Sequence, residues 1–369
     1  MTDAVYLDWN ATAPMRSEVA SAISLALACC GNPSSVHRWG RAQRHATERA
    51  RAAVAALVDA RAEDVVFTSG GTEANHLALL GSSHRSVLVS AIEHDSVREA
   101  AADAISIPVH SSGLVDLSAL ERLLAATKPP ALVSLMLANN ETGVIQPVAS
   151  ASAIARRYGA LLHCDAIQAA GKIPVSLDAL GVDLLTLSAH KIGGPQGVGA
   201  LVLGRDLALT PLLRGGGQER GRRAGTENVP GIIGFGVAAE LARDDRDSEK
   251  IARLRDRAAA QLVDIAPAAR VFGAEAPRLP NTFCITMPGI AAATQVVALD
   301  LAGVMVSAGA ACSSGKVRPS HVLAAMGVDP EEAQSAIRIS LGWSTDVASI
   351  ERLVDAWGAL YRRTRAEAA

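Results

Sequence analysis

Six short apolar runs in this chain do not alternate. They are Val65-Val66-Phe67-Thr68, Val87-Leu88-Val89-Ser90, Leu132-Val133-Ser134-Leu135-Met136-Leu137, Leu161-Leu162-His163-Cys164, Leu184-Leu185-Thr186-Leu187 and Gly199-Ala200-Leu201-Val202-Leu203. A strand with one wet face alternates apolar and polar residues. A strand covered on both faces reads as a continuous apolar run, as in parallel sheets sandwiched by helices. Alanine-rich stretches with helical patterning, such as 41–58 and 149–157, lie between the runs. The sequence therefore predicts an α/β doubly wound domain with a mostly parallel sheet. After about residue 250 the pattern changes. A charged helix is expected over 253–263, and strands at Asn281-Thr282-Phe283-Cys284-Ile285-Thr286, Val304-Met305-Val306 and Ala336-Ile337-Arg338-Ile339-Ser340. These fit a smaller, separate α+β unit. With 369 residues, two domains are the default.

Composition narrows the class. Hydrophobic residues make up 49% and charged residues 20%, enough apolar matter for a large core. A net charge of −2 and 3% aromatics supply neither an electrostatic footprint nor stacking platforms for nucleic acid. No apolar run approaches the roughly 20 residues of a membrane helix, and Met1-Thr2-Asp3-Ala4-Val5-Tyr6 has no signal-peptide pattern. The expectation is a cytoplasmic protein that binds neither membrane nor nucleic acid. Five cysteines, at 29, 30, 164, 284 and 312, show neither disulfide nor zinc spacing, so no metal site is expected.

In open α/β sheets ligands bind outside the carboxyl ends of the strands. The residues just after each run are therefore the informative ones. Ser69-Gly70-Gly71-Thr72-Glu73-Ala74-Asn75 follows the first run and opens a helix. It suits a phosphate at a helix N-terminus, or equally a capped turn. Glu93-His94, Asn139-Asn140-Glu141, Asp165 with Gln168, and Ser188 with His190 and Lys191 follow the others. Each alone has a capping or turn explanation. Together they put an acid, amides, histidines, a hydroxyl and a lysine on one edge of one sheet. Pyridoxal phosphate needs such a set: a lysine for a Schiff base, a carboxylate for the ring nitrogen and an anion site. Asp165 supplies the carboxylate, Lys191 the amine, Gly71, Thr72 and Ser188 the anion site, and His94 a flat face for the ring.

With these motifs in order, the chain resembles the cysteine desulfurases of the class V pyridoxal-phosphate-dependent aminotransferase family. The resemblance runs from Tyr6-Leu7-Asp8-Trp9-Asn10 to about Leu341-Gly342. It includes Gly31-Asn32-Pro33-Ser34-Ser35, Thr68-Ser69-Gly70-Gly71-Thr72-Glu73, Asp165-Ala166-Ile167-Gln168, Ser188-Ala189-His190-Lys191, Arg223-Ala224-Gly225-Thr226 and Ser307-Ala308-Gly309-Ala310-Ala311-Cys312-Ser313-Ser314-Gly315. It implies the type I fold of pyridoxal-phosphate-dependent transferases. A large cofactor-binding domain would cover 16–250, and a small domain would combine 1–15 with 251–369.

The resemblance also implies roles. Lys191 would carry the cofactor and later move the substrate's α-proton. Asp165 would pair with the ring nitrogen and Gln168 with the phenolic oxygen. His94 would stack on the ring and join in proton transfer. Gly71, Thr72, Ser188 and His190 would hold the phosphate. Thr226 would reach the phosphate site of a partner subunit, which implies a homodimer. Asn140 and Arg338 would hold the carboxylate of L-cysteine, Arg338 by its forked guanidinium. Cys312 would take the substrate sulfur as a persulfide, its thiolate being the nucleophile, for a sulfur-acceptor protein such as an iron–sulfur cluster scaffold. Cys164 and Cys284 sit in apolar strands and are expected to be inert. Cys29 and Cys30, at the end of a helical pattern, are expected to pack.

Two features depart from the family pattern. The chain stops soon after Tyr361-Arg362-Arg363, and Trp343 stands where a basic residue is expected. The basic stretch 217–223 reads either as a docking surface or as a solvated loop beside a dimer interface. The alternative activities are selenocysteine lyase and class V aminotransferase. Cys312 argues against the aminotransferase, which has no use for a thiol there.

Overall fold

A computed structural model describes residues 4–84, 86–204, 207–243, 247–309 and 319–367. Cys312 lies outside the described residues. The chain opens on the short strand β1 (Val5–Tyr6). The six apolar runs then appear as β2 (Val65–Thr68), β3 (Ser86–Ser90), β5 (Ala131–Ser134), β6 (Leu161–Asp165), β7 (Leu184–Ser188) and β8 (Gly199–Leu203), with β4 (Ile105–Ile107) as an added edge. They form a seven-stranded sheet in the order β2-β8-β7-β6-β5-β3-β4. Strands β7, β6, β5, β3 and β4 run parallel to one another, while β8 runs antiparallel to both β2 and β7. The mostly parallel sheet read from the unbroken runs is present, with one reversal. Every residue of β2, β5, β7 and β8 is buried, as their composition demands.

Two differences have plain causes. The run 132–137 outlasts its strand, which ends at Ser134. Its next residues stay attached to β6: Leu135 N donates to the His163 carbonyl (3.0 Å) and Leu137 N to that of Asp165 (2.8 Å). Strand β4 escaped the reading because it has three residues, two of them exposed. Helices Arg38–Leu57 and Val148–Arg157 fall within a few residues of the predicted stretches. They pack beneath the sheet in one large apolar cluster with Val229–Ala242.

A second sheet, β12 (Ser307–Ala308), β13 (Ala336–Ser340), β10 (Thr282–Thr286) and β9 (Val271–Phe272), is antiparallel throughout. Strand β1 pairs in parallel with β11 (Val304–Met305), so the chain start joins this half of the molecule. Its core holds Leu7, Phe283, Ile285, Ile337, Ile339 and Trp357, together with helices Ser248–Ile265 and Val347–Glu367. Along β13, Ile337 and Ile339 enter that core, and the intervening Arg338 points the other way, as a period of two requires.

The cysteines split. Cys164 and Cys284 are fully buried, as expected. Cys29 and Cys30 do not pack: both are exposed. The helix before them, Ser17–Leu27, ends uncovered by the described residues, with Leu25 and Leu27 at 73% and 69% exposure. Among the described residues no helix is long and apolar enough to cross a membrane.

Candidate active site

The carboxyl ends of β6 and β7 and the start of helix Gly71–Gly81 open on a cavity of about 340 Å³. Ten of the predicted residues line it: Gly71, Thr72, His94, Asn140, Asp165, Gln168, Ser188, His190, Lys191 and Arg338. Asn10 and Ala11 of the N-terminal segment close one side. Thr226 is exposed and is not among the lining residues.

Asp165 ends β6 and is buried. Its Oδ2 accepts from Asn75 Nδ2 (2.9 Å) and its Oδ1 from the Ile167 N–H (2.9 Å). Burial raises its pKa, and the Asn75 and Ile167 bonds oppose that. Asn75 Nδ2 also donates to Ser96 Oγ (2.9 Å), which bonds His94 Nδ1 (2.8 Å). His94 caps the short helix Asp95–Arg98 by accepting from the Ser96 N–H (3.1 Å). The capping and functional readings of His94 are thus compatible: one ring nitrogen caps while the ring lines the cavity.

Behind these groups lies Glu93. Its Oε1 accepts from the Met136 N–H (2.6 Å), and among the described residues its buried Oε2 has no hydrogen-bond partner. Burial, opposed by the Met136 bond and reinforced by the nearby Asp165 charge, pushes its pKa up to about 8.

Lys191 closes the 3-10 turn 189–191 that follows β7. The turn is tight: the Ile192 and Gly194 N–H groups both donate to the Ala189 carbonyl (3.1 and 2.9 Å). Gly193 follows at φ 82°, in the left-handed region, and a Cβ there would lie 2.7 Å from Trp343. The chain therefore turns away at once and leaves the lysine facing the cavity. Lys191 Nζ donates to the main-chain carbonyls of Asn10 (2.6 Å) and Ala11 (2.9 Å). The preceding His190 bonds Thr12 Oγ1 through Nδ1 (3.0 Å). Burial, then the Lys191 and Lys172 charges, lowers its pKa to about 4, which leaves a neutral ring near pH 7.

The anion end is built by backbone. Gly70 precedes the helix at φ 157°, and Gly71 opens it. Strand register places Gly199 level with both Thr68 and Ser188. A Cβ on Gly199 would lie 2.5 Å from the Gly70 carbonyl carbon, so only glycine lets the turn settle against β8. Across the cavity, Arg338 NH1 donates to the Asn140 carbonyl (3.1 Å) and NH2 to Asp8 Oδ1 (2.6 Å). Among the described residues its buried Nε has no partner.

Several residues escaped the sequence reading. Asn10 is buried and joins both halves of the molecule. Its Nδ2 donates to Thr282 Oγ1 (2.9 Å) and to the Asn140 carbonyl (3.2 Å), and its Oδ1 accepts from Asn281 (3.0 Å) and Lys172 Nζ (2.9 Å). Asn75 was quoted only as part of a helix start, and Asp8 only as part of a motif. A polar residue inside an apolar helix face, as Asn75 is between Ala74 and Leu77, was the available signal. The stretch 217–223 is largely satisfied within the chain. Glu219 is buried against Arg51 (2.7 and 2.9 Å), and Arg223 pairs with Glu73 (2.9 Å).

The family model "Aminotransferase class-V" matches residues 5–353. A cysteine desulfurase of Cereibacter sphaeroides is 45% identical, over 95% of this chain and 94% of its own. The cysteine desulfurase IscS of Dictyoglomus turgidum is 41% identical, over 95% and 93%. The crystal structure of a NifS-like protein from Rickettsia africae superposes with a TM-score of 0.89 at 38% identity, covering 98% of this chain and all of that one.

Proposed function

The chain belongs to the class V aminotransferase family, and from that premise we propose that it is a pyridoxal-phosphate-dependent cysteine desulfurase. It converts L-cysteine to L-alanine and passes the sulfur to Cys312. The observation that carries this reading is the meeting of Lys191, Asp165, His94 and Arg338 around one cavity.

The residues fit the cofactor. Asp165 is a buried acid whose ionised form is favoured by two donors, which suits a protonated ring nitrogen. The neutral His190 ring, the His94 ring and the Ser188 hydroxyl add polar contacts, and the N–H groups at the start of helix Gly71–Gly81 suit a phosphate. Gln168 offers its amide toward the phenolic oxygen. Bound there, pyridoxal phosphate supplies the sink for the negative charge that develops at the α-carbon of the substrate.

The chain's own groups do the rest. Arg338 receives the substrate carboxylate, with Nε still free to donate. Asn140 stands beside it. The Lys191 amine, released from the Asn10 and Ala11 carbonyls, takes the α-proton. His94 is placed to hand on a proton. The Cys312 thiolate attacks the substrate sulfur; the new S–S bond forms as the Cβ–S bond breaks, and L-alanine leaves with a proton in place of sulfur. Cys312 lies outside the described residues.

Further inferences belong to the same reading. The chain works as a homodimer in the cytoplasm, with Thr226 reaching the partner's phosphate site. It is organised as a large domain over 16–250 and a small one over 1–15 with 251–369, which the two largest apolar clusters support, one drawn almost wholly from each part. The persulfide goes to an acceptor protein such as an iron–sulfur scaffold.

The test supplies the protein with pyridoxal phosphate, L-cysteine and a thiol reductant, and measures alanine and sulfide together. Equal release of both is expected, and loss of both in Cys312→Ala. Alanine production that continues undiminished in that variant would falsify the persulfide step. A protein that never turns yellow with the cofactor would sink the whole reading.

A further inference from the structure

Lys172 is a second lysine at the site, four residues after Gln168. It follows a glycine turn and belongs to none of the motifs above. Its Nζ donates to Gln168 Oε1 (2.7 Å) and to Asn10 Oδ1 (2.9 Å). Gln168 in turn donates through Nε2 to the Asn10 carbonyl (3.0 Å), the same oxygen that receives Lys191 Nζ (2.6 Å). Two lysines and two amides therefore share one small network.

From this geometry we propose that Lys172 is a positioning residue, which sets the orientation of the Gln168 amide so that its NH₂ faces the cofactor. This rests on the cofactor reading given above. An amide can flip, exchanging a donor face for an acceptor face at little steric cost. A lysine ammonium offers only N–H donors, and even a neutral amine has two N–H groups to match the two oxygens Lys172 meets, so the face of Gln168 turned to it is the amide oxygen. With Oε1 turned to Lys172, the NH₂ of Gln168 must face the other way. The Asn10 amide is anchored separately, since Asn281 Nδ2 also donates to its Oδ1 (3.0 Å). The control exerted by Lys172 therefore falls chiefly on Gln168.

The protonation state of Lys172 does not undo this. Burial first, then the Lys191 and Arg338 charges, holds its pKa well below the ordinary lysine value. A neutral amine still has two N–H groups, one for each acceptor. The charged groups around it are Lys191 and Arg338, and His190 faces both lysines. A Gln168 that donates to the phenolic oxygen of the cofactor withdraws electron density from it. That makes the nitrogen joined to Lys191 less basic. Without Lys172, the flipped amide that presents an oxygen to the phenolic oxygen is disfavoured only by the Asn10 carbonyl, and as it gains population the nitrogen becomes more basic.

The experiment follows the visible absorbance of the loaded protein against pH. Lys172→Met is expected to move the midpoint to higher pH by about one unit. Lys172→Gln, which keeps an N–H donor, is expected to move it less. It also serves if Lys172→Met fails to fold. In a Gln168→Ala background, Lys172→Met is expected to have no effect, because coupled residues are not additive. An unmoved midpoint in Lys172→Met and Lys172→Gln overturns the proposal. So does an equal shift in the Gln168→Ala background, which would make Lys172 a charge acting directly. A wild-type protein that develops no visible band at all fails at the earlier step, cofactor binding, and is told apart on that ground.

Discussion

Asn75 reaches from helix Gly71–Gly81 across to the end of β6 and donates to Asp165 Oδ2 at 2.9 Å. The acid is buried, and burial alone favours its neutral form. A neutral acid makes a poor partner for a protonated ring. Asn75→Ala removes the bond that opposes burial. A hydrogen bond to a charged group is worth about 1.5–3 kcal/mol. The cofactor affinity of the variant, measured by absorbance titration of the cofactor-free protein, is therefore expected to fall about tenfold or more. Wild-type affinity in Asn75→Ala would show that Asp165 does not depend on this bond.

Glu93 predicts a pH dependence of folding. Its pKa is raised from 4.5 to about 8 in the folded chain. The folded state then binds more protons than the unfolded state between those values. Its contribution to stability is complete below about pH 4.5 and is lost as pH rises toward 8, with a slope of about 1.4 kcal/mol per pH unit. Glu93→Gln keeps the acceptor for the Met136 N–H and has no proton to lose. Urea unfolding of the cofactor-free protein at pH 5 and pH 8 should show the variant gaining on the wild type at the higher pH. Parallel behaviour at both pH values would contradict a buried, proton-holding Glu93.

Arg338 already holds Asp8 and the Asn140 carbonyl, which aims the guanidinium and leaves Nε for another acceptor. Lysine cannot serve two fixed partners and a planar carboxylate at once. For Arg338→Lys, the KM for L-cysteine is expected to rise by about 30-fold, equivalent to about 2 kcal/mol, with kcat changed less. Steady-state alanine release measures both. An unchanged KM would move the carboxylate site elsewhere.

Glu219 and Arg51 form a buried, two-pronged ion pair outside the cavity lining, and Glu219 Oε2 also accepts from the Phe67 N–H (2.9 Å). Removing one member leaves a buried charge uncompensated. Glu219→Ala is expected to cost about 3–5 kcal/mol in chemical unfolding. The double variant Arg51→Met with Glu219→Ala should lose less than the two single changes added together. Strict additivity would mean that the pair is not coupled.

Much of this site could be read before any fold was known, for a simple reason. Asp165, Ser188 and Lys191 each follow a continuous apolar run, and a parallel sheet delivers such positions to one edge. What stayed hidden depends on distant segments meeting. Asn10 touches Gln168, Lys172 and Lys191, all more than 150 residues away, and sits in the irregular segment between β1 and the first helix, where no periodicity marks it. Lys172 follows a glycine turn and carries no motif that marks it in the sequence. Asp8 gains its place only because the segment after β1 makes a parallel bridge to Ser340 at the end of β13, which brings Asp8 in reach of Arg338. The end of β5 was misread because the chain keeps bonding to β6 after strand geometry lapses.

The reversal of β8 has a consequence for the anchor of any ligand at this edge. A sheet wound in one direction meets its ligand only with strand ends, each followed by a bulky turn. Here one strand begins where its neighbours finish, and it begins with a residue that has no side chain. The rim of the sheet is notched at that point. The Gly70 turn drops into the notch, so strand polarity sets how deep an anion can seat.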